Sequence, residues 1–85
     1  MTDTVMDLNE FKRILDNIEI DAYRVADNST DYRRGQSLFN GFCSRFPGIA
    51  NKIRATEDDC FHLDSKIEAF KQRAIEIWIE CHNTN

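Results

Sequence analysis

The chain reads as a small all-α protein, a bundle of three to four helices. Two long segments, 7–22 and 65–81, repeat apolar residues at three- and four-residue steps with charged residues between them. A third helical segment, 31–45, lies between them and ends at the only proline, Pro47. No stretch alternates apolar and polar residues at the period of a strand, and no repeat or low-complexity run is present. At 85 residues the chain is expected to be one domain, with residues 1–6 and 82–85 frayed. A domain of this size buries only about 60–65% of its unfolded surface, but six Phe, two Tyr and one Trp within a 41% hydrophobic composition can still build a core.

In the first helix Leu8, Phe11, Ile14, Leu15, Ile18 and Ala22 form the apolar stripe, with Asp7 as N-cap and Glu10 as its capping-box partner. Ile20, Tyr23 and Val25 fall off that stripe, which predicts a bend or restart near Asp21 before the polar stop at 27–30. The second helix is expected from Asp31 to Arg45, with a wide apolar face of Tyr32, Leu38, Phe39, Phe42, Cys43 and Phe46. Gly35 and Gly41 inside it each cost about 0.8–1 kcal/mol relative to alanine, so they mark either a close backbone approach or a bend. Ile49, Ala50 and Ile53 make a short third helix led by Pro47. Residues 56–63 read as a loop anchored by Phe61 and Leu63, and Asp64 or Ser65 caps the last helix.

Composition narrows the setting. No apolar run approaches the roughly 18 residues that would span a bilayer, and the acidic, polar start MTDTVMDLNE is unlike a secretory signal. Three cysteines without framework spacing predict free thiols and a cytoplasmic protein with no membrane partner. Cys43 and Cys81 are expected to be buried, and Cys60, in a loop, to be the most reactive.

Charge is unevenly placed. Residues 1–31 carry a net −5 and residues 57–85 a net −4, while residues 32–56 hold five bases (Arg33, Arg34, Arg45, Lys52, Arg54) and no acid. The favoured expectation is internal compensation, with the acidic outer helices lining the basic middle. The other is an exposed basic face for an anionic partner, a protein surface or nucleic acid; the overall net charge of −4 opposes phosphate binding.

Arg33 through Asn40 (RRGQSLFN), then Pro47, Ile53-Arg54-Ala55-Thr56-Glu57 and Asp59-Cys60-Phe61, resembles a group of short, uncharacterised bacterial and phage proteins. Their shared pattern is roughly R-x-G-Q-x-x-x-N, a proline, then I-x-G-T-x-x-D-P-F-Y-x-D. The resemblance runs from Arg33 into Asp64 and implies fold and cellular setting, not a mechanism. This chain has Ala55 at the usual glycine, Cys60 at the usual proline and His62 at the usual tyrosine.

Cys60, His62, Cys81 and His82 are ligand types that zinc accepts, but their spacing fits no ordinary finger, and the resemblance puts proline and tyrosine at two of the four positions. No metal or other cofactor is expected. Cys43 lies on an apolar stripe with no histidine nearby in sequence, the acids around Asp58, Asp59 and Asp64 read as helix caps, and no glycine-rich phosphate loop is present. The expectation is therefore a non-enzymatic protein.

Arg33, Gln36 and Asn40 are spaced to share one helix face. Their structural reading has Arg33 pairing with Asp59 or Asp64 and Gln36 or Asn40 tying down the loop at Thr56. Their functional reading is a partner-binding face, extended by Arg45, Lys52 and Arg54. Together these expectations describe a small interaction protein of bacterial or phage origin that binds another protein, with a nucleic-acid-associated regulator using segment 33–54 as the alternative.

Overall fold

The computed structural model describes residues 7–82. It contains α1 (Leu8–Asp27), α2 (Arg34–Arg45), α3 (Pro47–Ile53), a short 3-10 turn (Asp64–Lys66) and α4 (Ile67–His82). No strand occurs among the described residues. The ends expected to fray lie outside them, apart from His82, which closes α4.

α1 starts where its capping residues put it: the Asp7 carboxylate accepts the Glu10 backbone N–H at 2.8 Å. The bend or restart expected near Asp21 does not interrupt the helix, which runs unbroken for 20 residues. Three faces account for this. Phe11, Leu15, Ala22 and Ala26 face the core. Glu19, Tyr23 and Asp27, four residues apart, form a polar stripe that neighbouring helices engage. The Tyr23 hydroxyl donates to Glu19 at 2.7 Å, Lys71 of α4 meets Glu19 at 2.7 Å, and the Arg34 guanidinium lies 4.7 Å from the Tyr23 ring centre while pairing with Asp27. Val25 belongs to the third face, taken up below. Asn28 then ends the helix, its side-chain amide donating to the Arg24 carbonyl at 2.9 Å.

α2 begins three residues later than expected, because Arg33 is extended (φ −87, ψ 158) and Ser29 draws the preceding chain into a turn by accepting the Asp31 N–H at 3.0 Å. Its N-terminus has no local side-chain cap. Asp64, 29 residues away, supplies one by accepting the Gly35 N–H at 2.8 Å. Both interior glycines prove to be close approaches. A methyl on Gly35 would run into the Cys60 backbone carbonyl, and one on Gly41 would stand 3.2 Å from an Ile18 methyl.

The core sits where α2 meets the other helices. Phe42 is fully buried, with ring centres of Phe46 at 5.2 Å, Phe70 at 5.3 Å and Phe11 at 6.2 Å. Trp78 of α4 stacks on Phe11 at 5.5 Å, and Phe39 meets Phe70 at 5.6 Å. Pro47 opens α3, where its fixed φ suits the first turn, and α3 buries Ala50 and Ile53.

The loop before α4 departs from expectation. Leu63 is 54% exposed and Phe61 only half-buried, whereas Cys60 is fully buried. The Cys60 thiol donates to the Gly35 carbonyl at 3.3 Å, so a small apolar side chain, rather than Phe61 or Leu63, fits against the glycine.

Candidate functional site

Of the partner-face residues singled out by sequence, Lys52 and Arg54 lie at the end of α3 and the others on or beside α2. At its N-terminus, Arg33 donates to the Phe61 carbonyl at 3.0 Å rather than to Asp59 or Asp64. Those two carboxylates hold backbone instead. Asp59 accepts the Ala55 N–H at 2.7 Å and the Phe61 N–H at 2.8 Å, and Asp64 accepts Gly35. Arg33, Gly35, Asp59, Cys60, Phe61 and Asp64 thus form a clamp that fastens the 55–64 loop to the start of α2. Ala55 adopts a left-handed φ of 65°, a conformation that glycine takes without strain. Burial, reinforced by the Asp59 charge, pushes the Cys60 thiol up to about 12.

This overturns the expected order of the thiols. Cys81 is exposed, Cys43 is half-buried and Cys60 is inaccessible. Among the described residues, no group of three or more histidines, cysteines or acids is placed to hold a metal ion. Nor do Gln36 and Asn40 tie the loop at Thr56. The Thr56 hydroxyl donates to the Ile53 carbonyl at 2.6 Å, Gln36 is half-buried, and Asn40 lies exposed on another flank.

That flank is a groove of ≈ 520 Å³ between α1 and α2. Ile18, Asp21, Ala22 and Val25 line it from α1, and Ser37, Asn40, Gly41, Ser44 and Arg45 from α2, with Tyr32 at one end. Its floor is made of small residues, because the helices approach closely at Gly41. Val25 is 52% exposed and Tyr32 45% exposed. Sequence reasoning had assigned Tyr32 to the buried face and left Val25 unplaced. The signal that could have located the groove is the seven-residue spacing of Ile18 and Val25 on α1, matched by Ser37 and Ser44 on α2.

Among the described residues, one base of the central segment, Arg34, pairs with an acid. Arg34 makes two hydrogen bonds to Asp27, at 2.8 and 3.0 Å, and they hold the Asp27 carboxyl below its usual range. Among the described residues, Arg33, Arg45, Lys52 and Arg54 make no ion pair with an acid, contrary to the favoured expectation. Arg45 lies 6.0 Å from the Phe46 ring centre, and Lys52 is 4.0 Å from the Cys81 sulfur. Arg54 lies over the Phe39 ring at 5.2 Å and donates to Cys43 and Asn51. It borders a second, smaller cleft with Phe39, Phe61 and His62. The outer acids pair elsewhere, chiefly Glu19 with Lys71.

No helix among the described residues is long and apolar enough to cross a membrane. Comparison with protein-family models, curated proteins and solved structures returns no match.

Proposed function

We propose that this chain is a small, non-enzymatic, cytoplasmic protein-binding module. The observation that carries this reading is the α1–α2 groove, where exposed Val25 and Tyr32 border a floor of small residues and Asn40 and Arg45 stand at the edge. An apolar groove edged by an arginine and an amide is the surface chemistry of helix-in-groove recognition. The non-enzymatic reading is supported by the clamp: Asp59 and Asp64 are occupied by backbone N–H groups, and the Cys60 thiol is buried and held protonated. The free cysteines suit a reducing compartment. The resemblance to short bacterial and phage proteins suggests a phage or mobile-element product that acts on a host or sibling protein.

The four bases without an acidic partner among the described residues favour a second reading, a nucleic-acid-associated regulator using Arg33, Arg45, Lys52 and Arg54. Two measurements separate the readings. Affinity-purified chain is compared with the Arg45→Glu/Lys52→Glu variant for the proteins and nucleic acids that co-purify, and the affinity of what is captured is then titrated with salt. A protein partner lost from the variant, with a shallow salt dependence, supports the module; a steep log-log fall in affinity points to phosphate contacts. Neither base has an acidic partner among the described residues, but each sits in the last turn of its helix, so the variant's melting temperature should fall slightly.

A further inference from the structure

We propose that the smaller cleft at the end of α3, independently of the α1–α2 groove, binds a compact aromatic carboxylate. The cleft measures ≈ 320 Å³ and is lined by Phe39, Arg54, Ala55, Asp59, Phe61 and His62. That is the low end of small-molecule sites, roughly 300–1,000 Å³, and it suits a body of one or two rings. Three rings shape the apolar side. Phe39 and Phe61 meet edge to face with centres 6.0 Å apart, and the His62 ring stands 4.9 Å from Phe61, again edge on. Such a corner favours a flat ligand, because another ring can meet it at the same spacings.

The charge comes from Arg54. Its guanidinium lies 5.2 Å from the Phe39 ring centre, and its contacts are two long ones from Nη2, to Asn51 Oδ1 at 3.4 Å and Cys43 Sγ at 3.6 Å. Nε and Nη1 donate to no group among the described residues. Asp59 lines the same cleft without pairing with Arg54, since backbone holds both of its oxygens: the Ala55 N–H donates to Oδ2 at 2.7 Å and the Phe61 N–H to Oδ1 at 2.8 Å. The guanidinium therefore has donors to spare for a carboxylate beside an aromatic wall. Asp59, with Glu57 and Asp58 beside it in the chain, repels a second negative charge, which selects a monoanion over a phosphate.

Titration of the full chain with phenylacetate, followed by amide NMR, tests this. The expected result is saturable shifts at the Ala55, Phe61 and His62 amides. Neutral phenylacetamide should bind about tenfold or more weakly, and phenyl phosphate more weakly than phenylacetate. Arg54→Gln should weaken phenylacetate about tenfold or more, while Arg45→Gln, in the other groove, should leave it unchanged. Arg54 is exposed and its contacts are long, and an unchanged spectrum away from the cleft verifies that the variant is folded. Absence of saturable shifts up to about ten millimolar phenylacetate overturns the inference, as does equal binding of acid and amide or indifference to Arg54→Gln. Phenyl phosphate bound as tightly as phenylacetate would overturn the carboxylate assignment in favour of the nucleic-acid reading. Shifts confined to the α1–α2 groove would overturn the cleft while leaving the binding-module reading intact.

Discussion

The N-terminus of α2 and the groove along its flank are each built around a glycine, and the two glycines have different neighbours. Gly35 faces backbone, the carbonyl of Cys60, while Gly41 faces a side-chain methyl, Cγ2 of Ile18. Around Gly35 the polar groups of the loop are tied to one another: Asp64 to the Gly35 N–H, the Cys60 thiol to the Gly35 carbonyl, Arg33 to Phe61 and Asp59 to two amides. Around Gly41 the lining is small or exposed, and its charges have weak partners or none among the described residues. The difference teaches that the residues most like a motif are occupied in holding the fold, whereas the open groove lies where no motif was visible.

The largest expected contrast is chemical. With burial pushing its thiol from 9.0 up to about 12, Cys60 holds roughly a thousandfold less thiolate near neutral pH. Native labelling followed by mass spectrometry should modify Cys81 first, Cys43 more slowly and Cys60 only on unfolding. Labelling of Cys60 as fast as Cys81 would mean that the clamp opens freely.

Phe42→Ala removes a fully buried ring from the core both regions share, and should lower stability by about 3–5 kcal/mol in denaturant melts. A loss below about 1 kcal/mol would contradict its central place. The glycine pair gives the direct comparison. Gly35→Ala must displace the 59–64 loop and should cost about 2–3 kcal/mol. Gly41→Ala needs only a small shift of Ile18, offset by about 0.8–1 kcal/mol of helix propensity, so it should be nearly neutral. Equal effects at the two positions would erase the distinction between clamp and groove.

Ala55→Gly is expected to stabilise the protein by about 0.5–1 kcal/mol, since relief of left-handed strain outweighs the added freedom of the unfolded chain. The smallest effect is electrostatic. Burial alone would raise the Glu19 carboxyl, but hydrogen bonds from Lys71 and Tyr23 and the Lys71 charge outweigh it, and the net shift is downward. The stability from this group is present above its unfolded-state value, near 4.5, and is lost as the pH falls through the lower folded-state value. Lys71 is affected in the opposite direction. Burial would lower it, Glu19 and then Glu68 and Asp16 hold it up, and its contribution is lost only as the pH rises through its raised value. Thermal melts should therefore show a smaller acid-side loss for Glu19→Gln than for the parent.

What could be read from sequence were interactions closed within a few residues. Asp7 capping α1 acts over three residues and Pro47 opening α3 acts on its own φ, and both were legible. The apolar stripes of α1 and α2 placed Phe11 and Phe42 in the core because helical spacing alone puts such residues on one face. The continuity of α1 through Asp21 was not legible, since Tyr23 is held by Arg34 and by a Glu19 that Lys71 also engages.

By itself, then, the sequence determined the helical class, the capping of α1, the proline break and the uneven distribution of charge, all of which depend on composition or on neighbours within a turn. Only the tertiary structure decided that Asp64 caps α2 from 29 residues away and that Cys60 is buried against Gly35 from 25 residues away. It also decided that Arg34 alone among the central bases pairs with an acid among the described residues, and that Val25 and Tyr32 border an open groove. The reason is physical: each of these depends on where loop closure brings distant backbone together, and helical periodicity carries no information about which carbonyl, amide or charge will stand opposite a given side chain.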